Sequence, residues 1–228
     1  YFLRKILSDV SLLSISKGEI NHIFKNTKNN ININYLPFGV DSKFWLPTNS
    51  KPKEYILSIG NDDNRDYELL LSAWNINYPE LIIITKHKIK SKLKNVSVIY
   101  GDWHQQILSD NEIRRYICDS NFVIIPVKNT TQPSGQSFCL QAMSCGKPVI
   151  MADIDGIWDK FLLINNDNCL LYKPESRKSL IKKIEILLTN KVLKDKLGEN
   201  ARKLVETDFC SANTGKSIYR YIQNEIKK

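Results

Sequence analysis

Pro133-Ser-Gly-Gln-Ser-Phe-Cys-Leu-Gln-Ala-Met-Ser-Cys-Gly-Lys-Pro148, preceded by Phe122-Val-Ile-Ile-Pro126 and followed by Val149-Ile-Met151, reads as strand, loop, helix, strand. The β-branched and aromatic run that ends at Pro126 suits a buried strand. Gly146 followed by Pro148 is a helix stop before the next one. Ser134 is the expected N-cap, with the helix starting near Gly135. Ser134, Ser137 and Gln141 then stand at i, i+3 and i+7 and share one face, while Phe138, Ala142 and Cys145 form an apolar stripe beside it. The polar face opens at the helix N-terminus. There the N–H groups of Gly135, Gln136 and Ser137 and the positive end of the helix dipole make an anion site, and a glycine lets a phosphate approach the backbone. An ordinary helix cap without a ligand is the competing reading.

Outward from this stretch the same alternation continues. Tyr55-Ile-Leu-Ser-Ile-Gly60 is a strand, Asn61 to Asp66 a polar loop, and Leu69, Leu70, Ala73 and Trp74 mark an amphipathic helix. Strands follow at Leu81 to Thr85 and Val96 to Tyr100, the second ended by Gly101-Asp102, and a helix near Asn111 to Asp119 leads into the central strand. Strand and helix alternating through Met151 predict an α/β fold: a doubly wound parallel sheet, Rossmann-like, with ligands at the carboxyl ends of its strands. Gly60, Arg65, Gly101 and Ser134 gather at that edge. No Gly-x-Gly-x-x-Gly follows a strand, so a dinucleotide reading has no support.

Beyond Met151, a short helix is expected over Ile157 to Leu163, an edge strand over Cys169 to Tyr172, and a helix from Pro174 with Leu180, Ile184, Leu187 and Leu188 inward. Two helices close the chain, making its C-terminus helical. One carries Leu193, Leu197, Ala201, Leu204 and Val205; the last, from about Ser211, carries Ile218, Tyr221, Ile222 and Ile226. Toward the N-terminus, Phe2 to Leu7 has helical spacing, Val10 to Ile15 reads as a strand, and Ser16 caps a helix with Ile20, Ile23 and Phe24 on one face. A boundary falls in the polar stretch from Pro47 to Pro52.

Composition narrows the function classes. The 228 residues, 42% of them hydrophobic, bury one good core and part of a second. No apolar run approaches the ~20 residues a membrane span needs, and a cytosolic address is the expectation. The five cysteines lack a Cys-x-x-Cys pair and read as reduced core residues, with no zinc site. The net charge of +9 admits a nucleic acid, an anionic membrane surface or a phosphorylated substrate. Its densest run, Lys86, Lys88, Lys90, Lys92 and Lys94, reads as a solvated face or an anionic membrane contact. No aromatic residues interleave as a base-stacking surface needs, which argues against nucleic acid. Asp153, Asp155 and Asp159 read as caps of the following helix, Lys147 as the solvated end of the preceding one, and no histidine has a partner pattern. No Gly-x-Ser-x-Gly elbow is present.

Pro126, the loop to Ser134-Gly135, Ala142-Met143 and Gly146-Lys-Pro-Val-Ile150 together resemble the donor-binding segment of the retaining glycosyltransferases of family 4, which have the GT-B fold and use nucleotide-sugar donors. Pro37-Phe-Gly-Val-Asp41 with Phe44-Trp-Leu-Pro47 resembles their interdomain connector. The resemblance implies that the helix N-terminus holds the donor diphosphate and that Gln141 stands where the family has a ribose-binding glutamate. A second family glutamate falls at Pro133. It implies that Arg65, in the polar loop Gly60-Asn-Asp-Asp-Asn-Arg-Asp-Tyr67, clamps the diphosphate, that Asn61 replaces a further arginine, and that Gly101-Asp102 lies where the base rests on backbone groups. A surface salt bridge to Asp62 or Asp63 is the competing role for Arg65.

The resemblance also implies an organisation. Residues 1–48 are a remnant of an N-terminal acceptor domain with its connector, 49–210 the nucleotide-sugar-binding domain, and 211–228 a helix that crosses back. No cofactor or metal is implied. The expected partners are a nucleotide-sugar donor and a carbohydrate or lipid-linked acceptor, in a cytosolic enzyme peripheral to a membrane. A partner-binding module that keeps the fold after losing catalytic residues is the alternative, with Gln141, Pro133 and Asn61 as the losses.

Overall fold

A computed structural model describes residues 10–27, 31–48, 53–102, 105 and 107–227. The helix expected over Phe2 to Leu7 and residues 49–52 of the Pro47 to Pro52 stretch lie outside these residues. The chain begins with strand β1 (Leu12–Ser14), helix α1 (Lys17–Thr27) and strand β2 (Ile33–Tyr35), which pairs parallel with β1. A second sheet follows, built from β3 (Tyr55–Ile59), β4 (Glu80–Thr85), β5 (Val96–Tyr100), β6 (Phe122–Ile125), β7 (Val149–Ala152) and β8 (Leu170–Tyr172). Its order is β5-β4-β3-β6-β7-β8, and every neighbouring pair is parallel. This is the doubly wound, Rossmann-like sheet that the alternation predicts.

The connecting helices are α2 (Tyr67–Ala73), α3 (Asp110–Asp119) and α4 (Gln136–Ser144); α5 (Arg177–Thr189), α6 (Lys191–Thr207) and α7 (Ser211–Ile226) end the chain. Helices cover both faces of the sheet, so its inner strands are apolar throughout instead of alternating. Ile56, Leu57, Val123, Ile124, Val149 and Ile150 are all fully buried. Strands β4 and β5 run outward on one side of β3, and β6 to β8 on the other. The topology therefore reverses between β3 and β6, where the loops after the two strands part and leave a crevice at their carboxyl ends.

α3 is started by a capping box. Ser109 Oγ accepts from the Glu112 N–H at 3.3 Å, and the Ser109 N–H donates back to Glu112 Oε2 at 2.9 Å. These bonds hold the Glu112 carboxyl below its ordinary value of 4.5, through the backbone N–H of Ser109 first and its hydroxyl second. Because the folded value is the lower one, this contribution is present above the unfolded value and is lost as pH falls through the folded one. We expect Ser109→Ala to lower stability by about 1 kcal/mol in a urea titration at neutral pH. The deficit should shrink on acidification.

Four expectations are corrected. Helix α4 starts at Gln136, one residue late, because Gly135 takes the left-handed conformation (φ 84°) and becomes the N-cap. Residues 157–163 form turns instead of a helix: Asp159 Oδ1 accepts the N–H groups of both Phe161 and Leu162, and the Trp158 carbonyl is taken by the Lys17 N–H. Helix α5 starts at Arg177, not Pro174, since Glu175 sits at φ 60° and Ser176 supplies the cap. Lys147 is buried instead of solvated, its Nζ donating to the Ser120 carbonyl at 2.8 Å; burial pulls its pKa below 10.5. Cys118, Cys139, Cys145 and Cys169 are buried thiols, as expected of core residues.

The N-terminal elements are tied to the sheet domain by backbone and side-chain hydrogen bonds. The Lys17 N–H donates to Trp158 O at 3.0 Å, and Ser16 Oγ donates to Gly156 O at 2.9 Å. Val40 of the connector exchanges bonds with Phe209 and Ser211 at 2.9 Å each. Arg202 donates to the carbonyls of Trp45, Ser144 and Ser42. Helix α7 touches the connector through Thr214 Oγ1, which donates to Pro37 O at 2.9 Å, yet buries none of its residues. Among the described residues no helix is long and apolar enough to cross a membrane.

Candidate functional site

A cavity of about 890 Å³ opens at the switch point between β3 and β6. Its polar wall is the β3–α2 loop (Gly60, Asn61, Asp62, Arg65) and the start of α4 (Ser134, Gly135, Gln136, Ser137), with Gln141 one turn further in. Its apolar wall includes Trp45, Leu108, Ile113 and Phe138.

Arg65 is held by main-chain bonds that cross the switch point. The Asp66 N–H donates to Pro126 O at 3.0 Å and the Lys128 N–H to Asn64 O at 2.9 Å, so residues 64–66 run against 126–128. This pairing draws the side chain in until the residue is 8% exposed. Two glycines make room for it. A Cβ on Gly60 would fall 1.9 Å from Arg65 Nε, and one on Gly135 would meet Ile125 Cγ2 at 2.6 Å and Arg65 Nη1 at 3.1 Å. The guanidinium therefore reaches from one loop to the other. Its Nε lies 2.9 Å from Asp62 Oδ2, an ion pair without hydrogen-bond alignment, and its Nη1 is buried without a protein acceptor among the described residues. Arg65 thus pairs with Asp62, in a buried setting instead of at the surface, and lines the cavity.

At the helix start, the Gly135 and Ser137 N–H groups have no acceptor among the described residues, whereas the Gln136 N–H makes a long bond to Pro133 O at 3.4 Å. The free donors are thus two of the three expected. The Gln136 side chain, 3% exposed, donates from Nε2 to Ile15 O at 3.3 Å and ties α4 to the end of β1. On the cavity side Ser137 is exposed and Gln141 half-buried, while Phe138, Ala142 and Cys145 are buried, as the helical spacing requires.

Asn61 and Ser134 hold the walls. Asn61 Nδ2 donates to Gly101 O at 2.8 Å, and its Oδ1 accepts from the Lys86 N–H at 2.7 Å. Ser134 caps nothing; its Oγ accepts from Asn64 Nδ2 at 2.8 Å, locking the two loops together. The Gly60 carbonyl accepts from both the Tyr67 hydroxyl at 2.9 Å and Thr85 Oγ1 at 2.7 Å. Burial pushes the Tyr67 hydroxyl up, against the opposing pull of the Arg65 charge, so it stays a donor.

Gly101 and Asp102 are not among the residues lining this cavity. They follow the edge strand β5, two strands from β3 and so roughly 10 Å off, and connect to the site through Asn61. Asp153, Asp155 and Asp159 cap no helix: Asp153 pairs with Lys160, Asp159 with Lys17, and Asp155 Oδ2 accepts from Asn129. Sequence reasoning missed Asn64, Trp45 and the segment Leu108 to Asp110 that leads into α3. Only the Ser109 to Glu112 capping pattern carried a signal that a helix starts there.

The family described as glycosyl transferases group 1 has a model that matches residues 47–204. An uncharacterized glycosyltransferase of Methanocaldococcus jannaschii is 27% identical over 124 residues, 53% of this chain and 34% of that protein. Sucrose-phosphate synthase from Thermosynechococcus elongatus has a similar structure, with TM-score 0.82 at 20% identity over 99% of this chain and 61% of its own. HepE of Anabaena, solved in complex with UDP and glucose, gives a TM-score of 0.76 at 13% identity, covering 94% of this chain and 63% of its own. The chain thus spans about a third of the matched curated relative.

Proposed function

The chain belongs to the glycosyl transferases group 1 family, and from that premise we propose that it is the donor-binding half of a retaining GT-B glycosyltransferase, with a nucleoside diphosphate sugar seated in the switch-point cavity. The observation that carries the reading is the convergence of Arg65 Nη1 with the unpaired Gly135 and Ser137 N–H groups on one cavity. Donors so placed suit the oxygens of a diphosphate. HepE, similar in fold, holds UDP and glucose.

In this reading Arg65 and the α4 N-terminus neutralise the diphosphate as the glycosidic bond stretches, and no metal is assigned that task. Gln141 meets the ribose, and the Gly101-Asp102 turn meets the base. The acceptor is a carbohydrate or a lipid-linked one, bound by chain outside residues 49–210. The exposed Lys86, Lys88, Lys90, Lys92 and Lys94 fit an anionic membrane surface on the cytosolic side.

The test is calorimetric titration with UDP, GDP and ADP. One nucleotide should bind saturably. Gln141→Glu should tighten it about fivefold to tenfold, because a carboxylate accepts a ribose hydroxyl more strongly than an amide does. A folded chain that binds none of the three would overturn the proposal.

A further inference from the structure

The cavity proposed to bind an anion is poor in positive charge. Among the described residues its lining contains one guanidinium, Arg65, and two carboxylates, Asp62 and Asp110. Asp62 is the nearer to the anion donors. Its Oδ2 stands 2.9 Å from Arg65 Nε, and its Oδ1 is buried with no hydrogen-bond partner among the described residues. The Asp62 main chain is fixed independently of that carboxylate, since its carbonyl accepts from the Arg65 N–H at 3.1 Å and faces His87 Nε2 at 3.3 Å. The carboxylate is therefore held beside the guanidinium edge that a diphosphate would use, and it offsets much of the charge that Arg65 brings.

We propose that Asp62 is a specificity-determining counter-anion that makes the site favour a nucleotide sugar over the nucleoside diphosphate left after transfer. The inference rests on the donor-site reading above. At pH 7.5 a nucleotide sugar carries two negative charges on its diphosphate, both on phosphates shielded as diesters. The free nucleoside diphosphate carries about one charge more, on its terminal phosphate. Repulsion from a fixed carboxylate several ångströms away, at the effective dielectric of a protein surface, penalises that extra charge by roughly tenfold in affinity. The Arg65 guanidinium, always charged, holds both ligands, and Asp62 separates them. A site so balanced releases its spent nucleotide instead of being inhibited by it.

The experiment compares wild type with Asp62→Asn, which keeps the side-chain shape and removes its charge. Each is titrated calorimetrically with UDP and UDP-glucose at pH 7.5, and with the matching GDP and ADP pairs. The variant should bind the nucleoside diphosphate about tenfold more tightly and the nucleotide sugar at most about threefold more tightly, so that the preference shifts toward the product. An unchanged ratio would sink this inference while leaving the donor site standing. So would a variant that binds both ligands more weakly, since Asp62 would then serve to position Arg65. If neither protein binds any of the nucleotides, the donor-site reading fails and takes this inference with it.

Discussion

Arg65→Gln is expected to weaken nucleoside diphosphate binding by about a hundredfold, roughly 3 kcal/mol, the loss of charge-assisted hydrogen bonds to phosphate. The fold should tolerate the change. Arg65 Nη1 already lacks a protein partner among the described residues, and the carboxylate left behind on Asp62 belongs to a side chain that is 37% exposed. The thermal midpoint should therefore move by only a few degrees while binding is lost. Arg65→Lys keeps the charge without the planar fork and should fall between the two. Titration calorimetry and a thermal melt of the same preparations check both halves. A large drop in melting temperature would mean that Arg65 is a structural residue of the switch point.

Gly156→Ala is expected to be a strongly damaging small substitution outside the cavity. A Cβ there would lie 2.4 Å from the Gln132 carbonyl oxygen and from the Thr131 carbonyl carbon and oxygen, all main-chain atoms. Side chains swing away from such a contact cheaply; a hydrogen-bonded backbone does not. The Gly156 N–H is itself bonded to Thr130 O at 2.7 Å, so the turn cannot retreat without breaking that bond. On the other side, a Cβ on Gly18 of α1 would meet Asp155 O at 2.2 Å, which makes the 155–157 turn the filling between two tightly packed segments. Overpacking of this kind costs about 3 kcal/mol, a fall of roughly 6–12 °C in melting temperature for a chain of this size. The displaced segment leads directly into Pro133 to Ser137, so nucleotide affinity should fall with it. Differential scanning calorimetry and titration of the variant measure both effects.

Much of this was legible in the chain itself. Buried strands announce themselves as apolar runs such as Leu81 to Thr85 and Phe122 to Ile125, because a sheet covered on both faces leaves no polar side. The face of α4 that looks into the cavity follows from a 3.6-residue period, and Ser137 and Gln141 fall where that period puts them. Boundaries were less legible. Ser134 looks like a cap by residue type, but Gly135 adopts a positive φ and takes the role, leaving the serine hydroxyl to Asn64. Lys147 looks solvated by charge, but a carbonyl at the end of α3 sits within reach of its ammonium.

By itself the sequence determined the alternation of strands and helices, the parallel sheet that alternation demands, and the glycine-led helix start after β6. Each is a local matter of hydrophobic period and backbone freedom within a span of a few turns. The tertiary structure alone decided which loops meet. β3 pairs with β6, not only with β4, through main-chain bonds between residues more than sixty apart, and no local pattern encodes that choice. That pairing lays residues 64–66 against 126–128, buries Arg65 beside Gly135, and sets Asp62 against its guanidinium. A short polar loop becomes one wall of a site because long-range hydrogen bonding and burial place it there, at the point where the sheet reverses its direction of growth.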